Sequence, residues 1–164
     1  MIFALSSAPH DDARYRIEHV LDDRTRLIWE LLDSSPADAL SAEVDVPSQG
    51  WIARLDRVDF PPGGIAYRHV HPGPGIRRLL HGELTIERGE GGPRTYTAGH
   101  AWFEGADDPV RATASDLEDT AFVRVLLLPA EWSGRRTIRY VDPADEDRPR
   151  HQRATVLLEE PLRL

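Results

Sequence analysis

The chain is 164 residues long with a formal charge of −8: 28 carboxylates face 20 basic side chains, and all 20 are arginine. With no cysteine and no lysine in the sequence, thiolate nucleophiles, disulfides, thiolate metal sites and lysine Schiff-base chemistry are excluded. At ~100–200 residues per domain, the length predicts one domain over 1–164.

The arginines are interleaved with acids, as at 14–18 and 22–26. No contiguous basic face is expected, and the acidic balance repels a phosphate backbone, so nucleic acid is not an expected partner. Residues 2–5 are apolar but too short a run, with no basic start, for a signal peptide. The longest later apolar run, 125–130, falls short of the ~20 residues of a membrane span. The expected compartment is the cytoplasm, with no membrane partner.

Thirteen prolines and 12 glycines favour short strands and turns over long helices. Over 15–32 the pattern fits two states. Leu27, Ile28, Leu31 and Leu32 suit a helical face, whereas strands joined by turns suit the rest, and strands are the expectation. Residues 51–60 alternate with Trp51, Ala53 and Leu55 on one face. The apolar parity then moves to Val58 and Phe60, which predicts a bulge near Asp56–Arg57. After the turn Pro61-Pro62-Gly63-Gly64, residues 65–71 place Ile65, Tyr67, His69 and His71 on one face. Residues 76–88 read as strand, a corner at Gly82, and strand, followed by a turn over 89–93. Residues 94–104 alternate with Tyr96, Ala98, Trp102 and Glu104 together. A continuous apolar strand, interrupted only by Arg124, spans 121–128 and is expected to be buried on both faces. Further strands are expected at 137–141 and 154–158, separated by a charged, solvated loop over 142–152. Eight or more short strands with frequent turns predict an all-β sandwich or barrel.

The histidine pair in its setting resembles the first motif of the cupin superfamily. Gly63, His69-Val70-His71 and Gly82 fall in that family's register, and Gly82-Glu83-Leu84-Thr85-Ile86 is similar to its continuation. Residues 96–103, with Gly99 in place, resemble the opening of the second motif. The resemblance covers about residues 51–130. It implies a cupin-type double-stranded β-helix, or jelly-roll barrel, with terminal extensions. It also implies a homodimer, since cupins are often dimers and the C-terminal strands can cross to a second subunit.

The family's ligand set is incomplete. Its glutamate would fall at 75, where this chain has Gly75, and its second-motif histidine at 110, where it has Val110; Gly105, Asp107 and Ala114 also depart from the pattern. A divalent metal (zinc, iron, manganese or nickel) usually needs a third protein donor. Glu104 is the best-placed candidate beside His69 and His71, ahead of His81, Glu83 and His100. Strand parity puts Arg77 on the face where the family glutamate would stand, as a clamp for a carboxylate or phosphate; the plainer alternative is a solvated partner of an acid such as Glu83. Tyr67 and Trp102 are expected to line the pocket, or else to be ordinary core.

Three functions follow from the resemblance. The first is binding of a small molecule, anionic ones among the candidates, in a pocket lined by Tyr67, His69, His71, Arg77 and Trp102 without a complete metal site, with no catalytic residue assigned. The second is a metal-dependent oxygenase, isomerase or lyase using His69, His71 and Glu104. The third, ranked last, is a metal-free sugar epimerase with His69 or His71 as base and Tyr67 returning the proton. Its pyrophosphate-bearing substrates need a basic rim that the sequence does not display.

Overall fold

The structure, a computed structural model, describes residues 1–89 and 91–164. Strands β1 (Ile2–Ser6), β2 (Tyr15–Val20), β3 (Arg26–Leu32) and β4 (Leu40–Glu43) form an antiparallel sheet in the order β2-β3-β1-β4. The strand reading of 15–32 is therefore the one realised. Leu27, Ile28, Leu31 and Leu32 are buried on both faces of β3 rather than along a helical stripe. Neither β1 nor β4 is marked by alternation in the sequence.

The barrel is built from two five-stranded sheets. One has the order β10-β7-β12-β5-β14 and the other β13-β6-β11-β8-β9. Their strands are β5 (Trp51–Phe60), β6 (Ile65–Val70), β7 (Gly75–His81), β8 (Glu83–Arg88), β9 (Gly92–Thr97), β10 (Ala101–Glu104), β11 (Val110–Ala114), β12 (Thr120–Pro129), β13 (Arg139–Tyr140) and β14 (Arg153–Pro161). Gly82 turns the β7–β8 corner at φ +77°, and a Cβ there would meet Thr120 Oγ1 at 2.4 Å. Only glycine suits that corner. The expected turn over 89–93 includes residue 90, which lies outside the described residues. The expected alternation over 94–104 divides into β9 and β10 around Gly99, and Ala98 is exposed instead of sharing the inner face.

The expected bulge near Asp56–Arg57 is absent from the β5–β12 ladder, whose register runs unbroken from Thr120 opposite Phe60 to Pro129 opposite Trp51. A register shift at Asp56 does occur in the β5–β14 ladder, where β14 carries the extra residue between Val156 opposite Asp56 and Leu158 opposite Leu55. Both faces of β5 are covered by different partners. Ala53 and Leu55 pack with Phe3, Leu5, Trp29 and Leu31 of the N-terminal sheet. Val58 and Phe60 pack inside the barrel. Two covers at the two ends of one strand produce the parity change that a bulge would also produce.

β12 is buried along nearly its whole length, as expected: one face supplies Val123, Val125 and Leu127 to the N-terminal sheet, the other turns inward. Trp29 seals this contact, its indole Nε1 donating to the Ile76 carbonyl at 3.1 Å. The charged 142–152 loop carries a short 3₁₀ turn, Pro143–Asp147, started by Asp142, whose carboxylate accepts from the Ala144 amide. Among the described residues, no helix is long and apolar enough to cross a membrane.

Candidate functional site

Cross-strand register assembles the site. Across the first sheet, Trp102 of β10 stands opposite Arg77 of β7, Arg77 opposite Arg124 of β12, and Arg124 opposite Asp56 of β5. These four buried side chains form one transverse row on the inner face. In the facing sheet, Val110 of β11 is flanked by His69 of β6 and Arg88 of β8. Between the sheets lies a chamber of about 40 Å³, counted over the positions a water centre can take. One water needs ~10–15 Å³ on the same measure, so the chamber suits a few waters or the head of a small organic molecule.

His69, His71, Arg77, Trp102 and Glu104 all line the chamber, as does Val110. Tyr67 does not, which corrects its assignment to the pocket. Val110 faces His69 while Ala112 faces Ala66, so β6 carries one extra residue between them. That bulge at 67–68 turns Tyr67 outward, where its ring packs beside His151 and beneath the Arg148 guanidinium, 4.8 Å from the ring centroid. His81 and His100 are exposed, and Glu83 faces outward.

Arg77 is 1% exposed, which removes the reading of a solvated ion pair. Its Nη1 donates to the Gly75 carbonyl at 2.7 Å, and its Nη2 lies 2.6 Å from Glu104 Oε2. That contact is an ion pair angled away from hydrogen-bond geometry, so Glu104 balances the Nη2 charge without a well-aligned hydrogen bond. A Cβ on Gly75 would come within 2.8 Å of Arg77 Nη1 and 2.5 Å of Leu126 Cδ2. The absent side chain at 75 is thus the space into which the Arg77 head folds. Burial lowers the Arg77 pKa to about 10 against the opposing pull of Glu104, leaving it charged at neutral pH. Burial alone would raise the Glu104 pKa; the Arg77 charge and the Trp102 N–H, donating at 2.8 Å to Oε1, hold it below the usual value.

The two histidines have defined tautomers. His69 Nδ1 faces the Tyr67 carbonyl at 2.7 Å and must donate, which leaves the lone pair on Nε2. His71 Nε2 lies 3.1 Å from Arg124 Nη1. Arginine only donates, so His71 Nε2 accepts and Nδ1 carries the proton toward Thr137 Oγ1 at 3.1 Å. Burial, then the nearby guanidinium charges, lower both histidine pKa values, His71 far more strongly. Arg124 itself is held by Asp56 through Nε at 2.6 Å and Nη2 at 3.2 Å. Arg124 and Asp56 escape a reading based on paired histidines. The visible signal is the single charge interrupting the apolar run of 121–128.

The donor set does not fit a metal ion. His71 Nε2 is committed to a guanidinium and both Glu104 oxygens face donors. Val110 and Gly75 supply nothing, and two buried arginines repel a cation. Among the described residues, no three His, Cys, Asp or Glu side chains come together as a metal site. His69, His71 and Glu104 do not come together as a three-ligand set in this arrangement: Glu104 balances Arg77.

The strand order of the two facing sheets, enclosing the 69–71 pair, is a jelly-roll barrel. A jelly-roll barrel is the architecture that the resemblance to the cupins implied. No protein-family model matches the sequence, and no curated protein matches it. Among solved structures, the chain is similar to the polyketide cyclase RemF from Streptomyces resistomycificus at 18% identity and TM-score 0.45, over 60% of this chain and 77% of that one. It is similar to a cupin-like protein from Thermotoga maritima at 16% identity and TM-score 0.46, over 57% and 69%. It is also similar to an oxalate oxidase at 22% identity and TM-score 0.44, over 54% and 46%. These likenesses assign no ligand, metal or reaction to this chain.

Proposed function

We propose that this cupin-fold chain binds a small carboxylate or similar oxyanion inside the barrel, without a metal. The observation that carries the reading is the fully buried Arg77 guanidinium in the chamber wall, whose Nη2 is paired with Glu104 at 2.6 Å but without hydrogen-bond alignment. A guanidinium has five N–H donors, so one held by a single poorly aligned carboxylate keeps donor capacity for a second anion seated against it. The local charge supports the same sign. Around the chamber, Arg77, Arg88 and Arg124 face Glu104 and Asp56, with both histidines neutral; Arg88 Nη2 is also buried without a partner. The planar guanidinium fork suits a carboxylate better than a spherical ion. Trp102 and Phe122 supply an apolar wall for the remainder of the molecule.

Titration of the ¹⁵N-labelled protein with acetate and butyrate tests this. Saturable shifts at residues lining the chamber are expected, and Arg77→Met abolishes them. Equal binding by Arg77→Met would overturn the assignment.

A second reading is favoured by the His69 tautomer. A neutral imidazole with its Nε2 lone pair on the chamber wall, beside an anion clamp, is equipped to take a proton from the carbon next to a bound carboxylate. Tyr67, outside the chamber, has no part in it. Deuterium appearing at that carbon of a bound acid in D₂O, and lost in His69→Gln, is the expected sign.

A further inference from the structure

The chamber opens into a wider cleft of about 480 Å³ on the same measure. Arg124, Ile138, Gln152 and Ala154 line both spaces, so the cleft is the vestibule of the chamber. Five of its lining residues are arginines (54, 124, 135, 136 and 150) against two carboxylates, Asp56 and Glu159. That excess occurs in a chain with net charge −8.

Not all five are free. Arg124 is neutralised by Asp56 and Arg54 by Glu159. Arg54 also donates to the carbonyls of Trp132 at 2.7 Å and Arg135 at 2.8 Å, pinning the turn that presents Arg135 and Arg136. Arg136 reaches Glu146 only at 3.5 Å. Among the described residues, Arg135 and Arg150 make no ion pair. The basic rim that the sequence does not display is therefore present, brought together from two stretches 14 or more positions apart. At the neck, Gln152 Oε1 is buried with no hydrogen-bond partner, a second polar group awaiting a ligand.

Resting on the anion-binding reading above, we propose that the ligand is an elongated dianion spanning both spaces. Its carboxylate head sits against Arg77. Its second anionic group, carboxylate or phosphate, lies among Arg135, Arg136 and Arg150, and a hydrogen-bond donor between them, from the ligand or a bridging water, meets Gln152 Oε1. Concave walls of low dielectric strengthen such a field relative to a flat surface. The vestibule remains solvent-accessible, so its contribution weakens as salt rises.

Calorimetric titration of the full chain with matched pairs tests the proposal: succinate against butyrate, glutarate against valerate, and 3-phosphonopropionate to separate phosphate from carboxylate tails. At low salt at least one dianion is expected to bind about tenfold or more tighter than its monoanionic mate, which corresponds to ~1.4 kcal/mol. Arg135→Gln/Arg150→Gln, altering exposed side chains, is expected to cut that preference below about threefold while leaving monoanion affinity unchanged. Equal affinities for each pair, or a preference that survives the double variant, overturn the proposal and leave the chamber reading standing. Dianion binding indifferent to Arg77→Met, and to the better-balanced Arg77→Met/Glu104→Gln, overturns the spanning geometry. Failure of every monoanion to bind the chamber counts instead against the anion-binding reading.

Discussion

Replacing Arg77 with methionine probes the central pairing, because the two consequences of the change can be separated. The Arg77 side chain is 1% and the Glu104 side chain 6% exposed, and the pair lies 2.6 Å apart. Removing the cation leaves the Glu104 carboxylate buried with only the Trp102 indole N–H as a donor. Breaking a buried ion pair from one side costs ~3–5 kcal/mol. For a chain of this size each kcal/mol moves the melting temperature by ~2–4 °C, so a drop of roughly 6–20 °C is expected. The orphaned carboxyl will take up a proton near neutral pH, which makes the loss smaller in acid than in alkali. In Arg77→Met/Glu104→Gln the amide still accepts from Trp102 and no charge is stranded, so most of the stability returns. Anion binding does not return, because the guanidinium is gone. Urea and thermal unfolding at pH 7, with and without butyrate, measure both. A single variant within 1 kcal/mol of the parent, or a double variant no more stable than the single, would refute the pairing as the source of the cost.

Gly75→Ala places a methyl 2.5 Å from Leu126 Cδ2, 2.8 Å from Arg77 Nη1 and 3.0 Å from the Val125 carbonyl; a loss of ~1–3 kcal/mol in urea unfolding is expected, and a neutral result would mean that Arg77 does not fold over position 75. Dialysis against a chelator is expected to leave the melting temperature and butyrate affinity unchanged, and added zinc to bind without defined stoichiometry; one equivalent of zinc, lost in His71→Ala, would restore the metal reading. Stability is expected to fall as pH drops from about 6.5, since both histidines have depressed pKa values in the fold: the unfolded chain takes up protons that the folded chain refuses, at up to ~1.4 kcal/mol per pH unit for each group. His71→Gln removes one of these groups, so a thermal-melt series from pH 7 to 5 should be shallower for the variant, and parallel curves would count against a neutral buried His71. Self-association is expected along edge strand β14, where Val156, Leu157 and Leu158 are exposed; Leu157→Arg should convert a dimer to a monomer by light scattering, and an unchanged mass would exclude this edge.

The barrel was legible because its signals are local. Short alternating runs, glycine and proline punctuation, and the 69–71 pair between two turns all act within a dozen residues. The pocket positions of His69, His71, Arg77 and Trp102 followed from strand parity read in the cupin register. Where parity broke, the reading broke. One extra residue in β6 turned Tyr67 outward, and a bulge was expected in β5 where the N-terminal sheet in fact covers its second face. Neither event leaves a mark in the nearby sequence, since each depends on a partner strand far along the chain.

Alternation, composition and residue spacing by themselves determined an all-β chain with histidines 69 and 71 on one strand face, and the resemblance to the cupins implied that Gly75 and Val110 stand where that family has metal ligands. Only the tertiary structure decided which charged groups stand beside those histidines. Cross-strand register set Arg77 and Arg124 side by side, each with its own carboxylate, and chain folding gathered Arg135, Arg136 and Arg150 at one mouth. The division has a physical cause. Strand periodicity is a property of consecutive residues, whereas the sign of an electric field inside a barrel is a sum over charges that sequence distance does not relate.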